Sequence, residues 1–282
     1  MEKNLTGRVK KMIQAIQSFE KYEFFIGELA GDPIYSDPHF TFDKDNLYRS
    51  LERQDEYAFA VLENGEPEGL FVWLVLPEDH YIEMIVGLTK NEEAFSEMLV
   101  YMEENYPGFH MDLVLNPLNT ALSRPLKERG AAFDPEQQKM IQNGIVPGIS
   151  TDQVVLISEK WTLKYYEIHN KETYWTAERV LANRDNFRVL LAVKDGQILG
   201  YLDVTCGYEV NEIYDLFVRP EAARQGLEAA LLAKAIELNS PHSLMVVVDV
   251  DTKEEIELFT AAGSCKMEGQ NSIAASYRLE TV

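Results

Sequence analysis

The residues best suited to chemistry lie between Glu212 and Leu232, and what they suggest is the holding of an anion. Glu212-Ile213-Tyr214-Asp215-Leu216-Phe217-Val218 is apolar and β-branched enough for a buried strand, and Pro220 stops it. Ala222 to Glu228 mixes small and polar residues around Gly226, which adopts backbone angles that other residues resist. From Leu227 the leucines and alanines recur at helical spacing through Ile236, the pattern of a core-facing helix. A strand that feeds a glycine-containing loop and then a helix leaves several backbone N–H groups without partners. Together with the helix dipole those donors form an anion site, typically for phosphate.

Val218-Arg219-Pro220-Glu221, the loop with Gly226 and the Leu/Ala-rich helix resemble the acetyl-CoA pyrophosphate loop of the GNAT N-acetyltransferases. The family pattern there is Arg or Gln, two residues, Gly, one residue, then Gly or Ala. Here those places hold Ala223, Gly226 and Glu228, with Arg224 one residue late. The resemblance implies acetyl-CoA as cosubstrate. Leu216, Phe217 and Val218 would pair with the pantetheine arm, a backbone N–H holding the thioester oxygen. Ala223, Arg224, Gln225, Gly226, Leu227, Glu228 and Ala229 would surround the pyrophosphate.

The resemblance also implies a catalytic base at Glu212, the strand carboxylate in the family's position, although a solvated strand-edge acid is an equally open reading of that residue. The family's general-acid tyrosine falls on Phe259 and its asparagine on Thr252, so the hydroxyl is missing. A thiol with a free pKa of about 8.5 is a tolerable leaving group without help. Glu228 suits the positive end of a helix and would repel a diphosphate. These departures keep a second reading open beside an acyl-CoA-dependent N-acyltransferase: a catalytically inactive binding or regulatory module.

Composition narrows the partners. The 282 residues carry 26 basic against 47 acidic side chains, a formal charge of −21. That argues against nucleic acid and anionic membranes as main partners, since both need a basic footprint. It is compatible with a cationic acceptor, a small-molecule or peptide amine, although an acidic surface also serves solubility alone. Cys206 and Cys265 have neither metal nor redox spacing, and two reduced thiols in a cytoplasmic protein are expected. No metal site is expected either: His80, His110 and His242 show no ligand spacing. His169, Tyr174 and Trp175 lie before the second hairpin, where the resemblance implies contact with the acceptor, although Tyr174 and Trp175 read first as core. The N-terminus lacks an apolar signal core, and no run approaches a membrane span. A homodimer is compatible with the sequence.

The elements that must position the loop recur twice. The first half predicts helices over 9–19 and 42–54, a hairpin over 56–76, a strand over 81–88, a helix over 91–105, a strand over 111–115 and a helix over 119–129. Asn143 to Gly148 punctuates the chain. Then follow one or two helices over 161–181, a hairpin over 187–204, the Glu212 strand and its helix, a strand over 243–250, a helix over 253–262 and a strand over 272–279. Ala60, Gly69, Glu83 and Gly130 lie 129 to 133 residues before Ala192, Gly200, Glu212 and Gly263. The stretch from Glu83 to Gly130 is four residues shorter than its counterpart, and the deficit falls at the loop.

An internal repeat of this length predicts two domains of one fold. The expectation is an α/β (α+β) chain of two tandem GNAT-like domains, each a mixed, mostly antiparallel sheet flanked by helices. Residues 1–145 form a degenerate copy without the cofactor loop, and 150–282 form the copy with it.

Overall fold

The structure, a computed structural model, describes residues 11–38, 45–142, 144, 147–223 and 225–280. In chain order the strands are β1 Met12–Ala15, β2 Glu56–Glu63, β3 Glu66–Leu76, β4 Tyr81–Thr89, β5 His110–Leu115, β6 Ala132–Phe133, β7 Gln137–Gln142, β8 Val154–Leu156, β9 Phe187–Lys194, β10 Gln197–Thr205, β11 Val210–Val218, β12 Ser243–Asp249, β13 Cys265–Lys266 and β14 Ile273–Arg278. The described α-helices are α1 Glu23–Ala30, α2 Asp45–Arg49, α3 Glu92–Asn105, α4 Thr120–Glu128, α5 Glu159–Ile168, α6 Ala177–Ala182, α7 Leu227–Asn239 and α8 Lys253–Ala261. Two seven-stranded sheets result, ordered β1-β2-β3-β4-β5-β14-β6 and β13-β7-β12-β11-β10-β9-β8.

Turn chemistry sets the two long hairpins. Asn64 and Gly65 both take positive φ between β2 and β3, as do Asp195 and Gly196 between β9 and β10, the turn whose twist matches paired strands. Period-two alternation then splits each strand between two cores. In the first sheet Val61, Phe71 and Trp73 face Phe95, Met98 and Leu99 of α3, while Ala60, Leu70 and Val72 face Ile26 and Leu29 of α1. In the second, Leu190, Ala192 and Leu202 pack on Leu227, Leu231 and Ala235 of α7. Val189, Leu191 and Tyr201 pack on Trp161 and Tyr165 of α5 and Val180 of α6.

The repeat extends to irregularities. The β3–β4 ladder skips Ile85, and the β10–β11 ladder skips Tyr214, so each sheet has a bulge at the same place two residues after Glu83 or Glu212. The compact units are residues 1–137 with 268–282, and residues 138–267. They therefore differ from the contiguous halves 1–145 and 150–282 by an exchange of ends. β14 sits between β5 and β6 in the first sheet, and β7 sits between β12 and β13 in the second. Each half's last long strand fills the equivalent slot of the other, which two copies of one fold make sterically equivalent.

Two helix predictions change. Residues 12–15 form a strand, registered from Met12 on Leu62 to Ala15 on Phe59. An amphipathic stretch of about three turns is too short to hold a helix by itself, and pairing covers the open edge of β2. The helix expected over 42–54 is α2 followed by a 3₁₀ turn at Ser50–Glu52, with 42–44 outside the described residues.

Candidate active site

A cleft opens in the second unit because two parallel strands part. β11 and β12 pair only at Val210–Ser243, Asn211–Leu244 and Glu212–Met245, yet run on to Val218 and Asp249. The Tyr214 bulge sits just past the last pair, where added twist separates strands. The gap is a cleft of about 320 Å³ whose walls include Leu216, Val218, Val246 and Phe259, together with the acidic residues Asp215, Glu228 and Glu255.

Hydrogen-bond alternation decides what β11 shows to this cleft. Arg219 N–H donates to Leu199 O at 2.8 Å, so Arg219–Leu199 is a bonded pair. Counting along the register, Phe217–Tyr201 is the next bonded pair, and Val218–Gly200 and Leu216–Leu202 lie between. In an antiparallel ladder the intervening residues turn their N–H groups away from the partner strand. The amides of Leu216 and Val218 therefore face the cleft, beyond the point where β12 could accept them. Phe217 points its ring to the opposite core, 5.5 Å from Tyr201.

The loop behind β11 is a 3₁₀ turn at Pro220–Ala222 followed by Gly226, which takes φ 78° as the N-cap of α7. No side chain caps this helix, so the first-turn amides at Leu227, Glu228 and Ala229 remain as donors. Among the described residues nothing lies within 4 Å of where a Cβ at Gly226 would stand. Ala223 and Gln225 are exposed, Gln225 donating weakly to Glu221 O at 3.4 Å. Leu227 is buried in the core, and Ala229 is half-buried. Arg224 lies outside the described residues. Glu228 is half-buried and lines the cleft without filling it.

Phe259 is 4% exposed and forms part of the cleft's apolar wall; no hydroxyl stands at that point. Thr252, the N-cap of α8, donates to Asp249 O at 2.7 Å. Glu212 is half-buried, three residues before Asp215 on the same strand. Its carboxylate bonds the Tyr214 hydroxyl, which burial and Glu212 together push well above the usual tyrosine range. The described lining of the cleft includes Tyr214 and Asp215 and leaves out Glu212.

The first unit has the same strands, with the amide of Gly87 taken. β4 and β5 pair from Tyr81–His110 to Met84–Leu113. Gly87 stands where Leu216 stands in the repeat, and its N–H is bonded at 2.8 Å by the buried carboxylate of Asp37. The helix after β4 starts at Asn91, whose side chain accepts from Glu93 N–H and Ala94 N–H at 2.9 and 3.2 Å. The residues around this helix start include Glu28, Glu68, Glu92 and Glu93, and the one lysine there, Lys90, is ion-paired with Glu28.

A polar network behind the second cleft escaped the sequence reading. Tyr165 O–H donates to Asp203 Oδ2 at 2.6 Å, and His169 Nε2 meets the same oxygen at 2.8 Å. His169 Nδ1 lies 2.7 Å from Asn170 O. Both ring nitrogens thus face oxygens, an arrangement that suits a doubly protonated imidazolium beside an ionised Asp203. His169 also caps the C-terminus of α5, where a cation is favoured. Burial works to lower its pKa, but the hydrogen bond and charge of Asp203 carry it above the ordinary value. Burial pushes the Asp203 carboxyl up, against the pull of His169 and Tyr165. Asp203 Oδ1 is buried with no hydrogen-bond partner among the described residues. The available signal was Tyr201 and Asp203 at period-two spacing within an apolar strand, a buried polar pair that must find partners.

Among the described residues no helix is long and apolar enough to cross a membrane, and no three His, Cys, Asp or Glu side chains group as metal ligands. Cys206 and Cys265 are both free.

Residues 155–263 match the Acetyltransferase (GNAT) family. No curated protein matches the sequence significantly. Among solved structures, a GCN5-related N-acetyltransferase from Sphaerobacter thermophilus is 14% identical with a TM-score of 0.66, each chain covered to 96%. A tandem GNAT protein from the clavulanic acid biosynthesis pathway is 10% identical with a TM-score of 0.55, over 96% of this chain and 99% of that one. A GNAT-family acetyltransferase from Colwellia psychrerythraea is 10% identical with a TM-score of 0.55, over 94% and 98%. These likenesses extend along nearly the whole chain and so include both sheets. The family match thus falls within the second unit, and the likeness to these solved structures is one of fold, extending over both sheets.

Proposed function

We propose that the second unit transfers an acetyl group from acetyl-CoA to an amine. The observation that carries this reading is the convergence of two kinds of unpaired donor on one cleft: the strand amides of Leu216 and Val218, and the uncapped first turn of α7 behind Gly226. The strand amides suit a pantetheine arm and the thioester oxygen, because fixed donors aimed at a developing oxyanion are a large catalytic term. The helix N-terminus suits a diphosphate. Glu228 opposes that charge and lines the cleft beside it.

The acceptor in this reading is a small-molecule or peptide amine. Asp215, Glu228 and Glu255 line the cleft, and a chain of net charge −21 favours approach of a cationic one. The surroundings we infer are cytoplasmic, in keeping with two free thiols. A second reading, a binding or regulatory module without turnover, is favoured by two observations: Phe259 in place of a hydroxyl and an acid in the first turn of α7.

Calorimetry with acetyl-CoA tests the proposal. A binding isotherm is expected from the native chain and none from Gly226→Trp, whose indole would stand before the helix N-terminus. Thermal unfolding of the variant confirms that the positive φ has not unfolded it. Absence of binding by the native chain at high micromolar concentration removes the enzyme reading. Thiol release measured over a set of primary amines then separates an enzyme from a silent module.

A further inference from the structure

Asp203 and Asp215 are registered directly opposite each other on β10 and β11, so their side chains leave the same face of the sheet. Tyr201, two residues before Asp203, shares that face. Its hydroxyl has one defined role. It accepts from Asn170 N–H at 3.1 Å, and its proton goes to Asp215 Oδ2 at 2.6 Å. The ring is clamped, lying parallel to His169 with centroids 5.1 Å apart and meeting the edge of Tyr165 at 5.5 Å. Those two residues are themselves tied to the buried carboxylate of Asp203. The outcome is a carboxylate held through one oxygen on the wall of the cleft, next in sequence to the amide of Leu216.

The first unit supplies a control. The positions equivalent to Tyr201, Asp203 and Asp215 are Leu70, Val72 and Val86, all buried in an apolar core. The copy whose Gly87 amide is occupied has none of the network, and the copy with open donors has all of it. A structural polar cluster of no consequence would have no reason to follow the open cleft. An apolar core fills the same space in the other copy without cost in partners.

We propose that Asp215 is the carboxylate that takes the acceptor's proton, and that Tyr201, clamped by the His169–Asp203 pair, positions it. This rests on the acyl-transfer reading. In the step, the amine nitrogen attacks the thioester carbonyl carbon and forms the C–N bond. The proton it sheds goes to an Asp215 oxygen. The C–S bond breaks with its electron pair going to sulfur, and the thiolate takes a proton from solvent. Glu212, bonded to Tyr214, has no direct part in this scheme.

The test combines acetyl-CoA calorimetry with the pH dependence of thiol release, using the amine that turns over best in the screen above. Other ionisable groups around Asp215 are Tyr201, Asp203, His169 and Tyr165, which feel its charge, Glu228 and Glu255, which line the same cleft, and Glu212 and Tyr214 on its own strand. Asp215→Asn is expected to bind acetyl-CoA as the native chain does and to lose about a hundredfold or more in kcat, the usual share of a general base. Tyr201→Phe is expected to keep KM for acetyl-CoA while the acid limb of the kcat/KM profile moves to higher pH, since a donor to the charged carboxylate is lost. A merely structural Tyr201 would lower the melting temperature and leave that limb in place.

If Asp215→Asn turns over at the native rate while Glu212→Gln does not, the base is Glu212 and the proposal falls with the acyl-transfer reading intact. Failure of the native chain to bind acetyl-CoA, or to release thiol with any amine, removes both.

Discussion

Asp37→Ala tests whether the strand amide of Gly87 in the first copy depends on a buried acceptor. The Asp37 carboxylate is 1% exposed and accepts from Gly87 N–H at 2.8 Å, on the strand position that faces an open cleft in the other copy. Truncation leaves a buried amide without its acceptor, which costs about 1–3 kcal/mol, with charged acceptors toward the upper end. Relief of the carboxylate's own desolvation offsets part of this, so the expected loss is about 2 kcal/mol. For a unit of this size one kcal/mol moves the melting temperature by about 2–4 °C, which gives a fall of about 4–8 °C. Asp37→Asn retains an acceptor oxygen and should lose about half as much. Scanning calorimetry reads both. A loss below about 0.5 kcal/mol for the alanine variant, or a larger loss for asparagine than for alanine, would show that Gly87 N–H does not depend on Asp37. The two copies would then not differ in the way argued. Acetyl-CoA binding should be unaffected, because the donors proposed for it are on β11 and α7.

Further expectations concern the second unit. Glu228→Gln removes an acid from the first turn of α7, costing about 0.3–1 kcal/mol of stability, and is expected to tighten acetyl-CoA binding in calorimetry; weaker binding would mean that Glu228 helps hold the ligand. His169 has its pKa raised in the folded state, so its contribution to stability is complete below the unfolded value of about 6.5 and is lost as pH rises through the folded value. The melting temperature of the native chain should therefore fall across that alkaline window more steeply than that of His169→Asn. Equal slopes would mean that the imidazolium–Asp203 pair is not formed.

Local signals carried much of the architecture. Alternation in Tyr57 to Leu76 and Phe187 to Val204, with Asn-Gly and Asp-Gly between the strands, specified two hairpins because turn type and strand period are properties of adjacent residues. The landmark spacing specified the repeat, and the bulges at Ile85 and Tyr214 fall in the same register in both copies. The start of α7 behind Gly226 was legible for the same reason. Residues 12–15 were misread as helix because the open edge of β2, some 45 residues away, decides their state.

The sequence by itself determined two similar sheets with helices on them and an uncapped helix after a glycine, since periodicity, turn residues and caps act over a few positions. Only the tertiary structure decided that β7 and β14 exchange places, because both slots accept either strand locally. Only it decided which β11 amides face the cleft, a matter of hydrogen-bond parity with β10. It also decided that Tyr165, His169, Tyr201, Asp203 and Asp215 meet, since side chains up to 50 residues apart become neighbours only when α5 is laid across the sheet. Burial there leaves each polar atom needing a partner that no local pattern names.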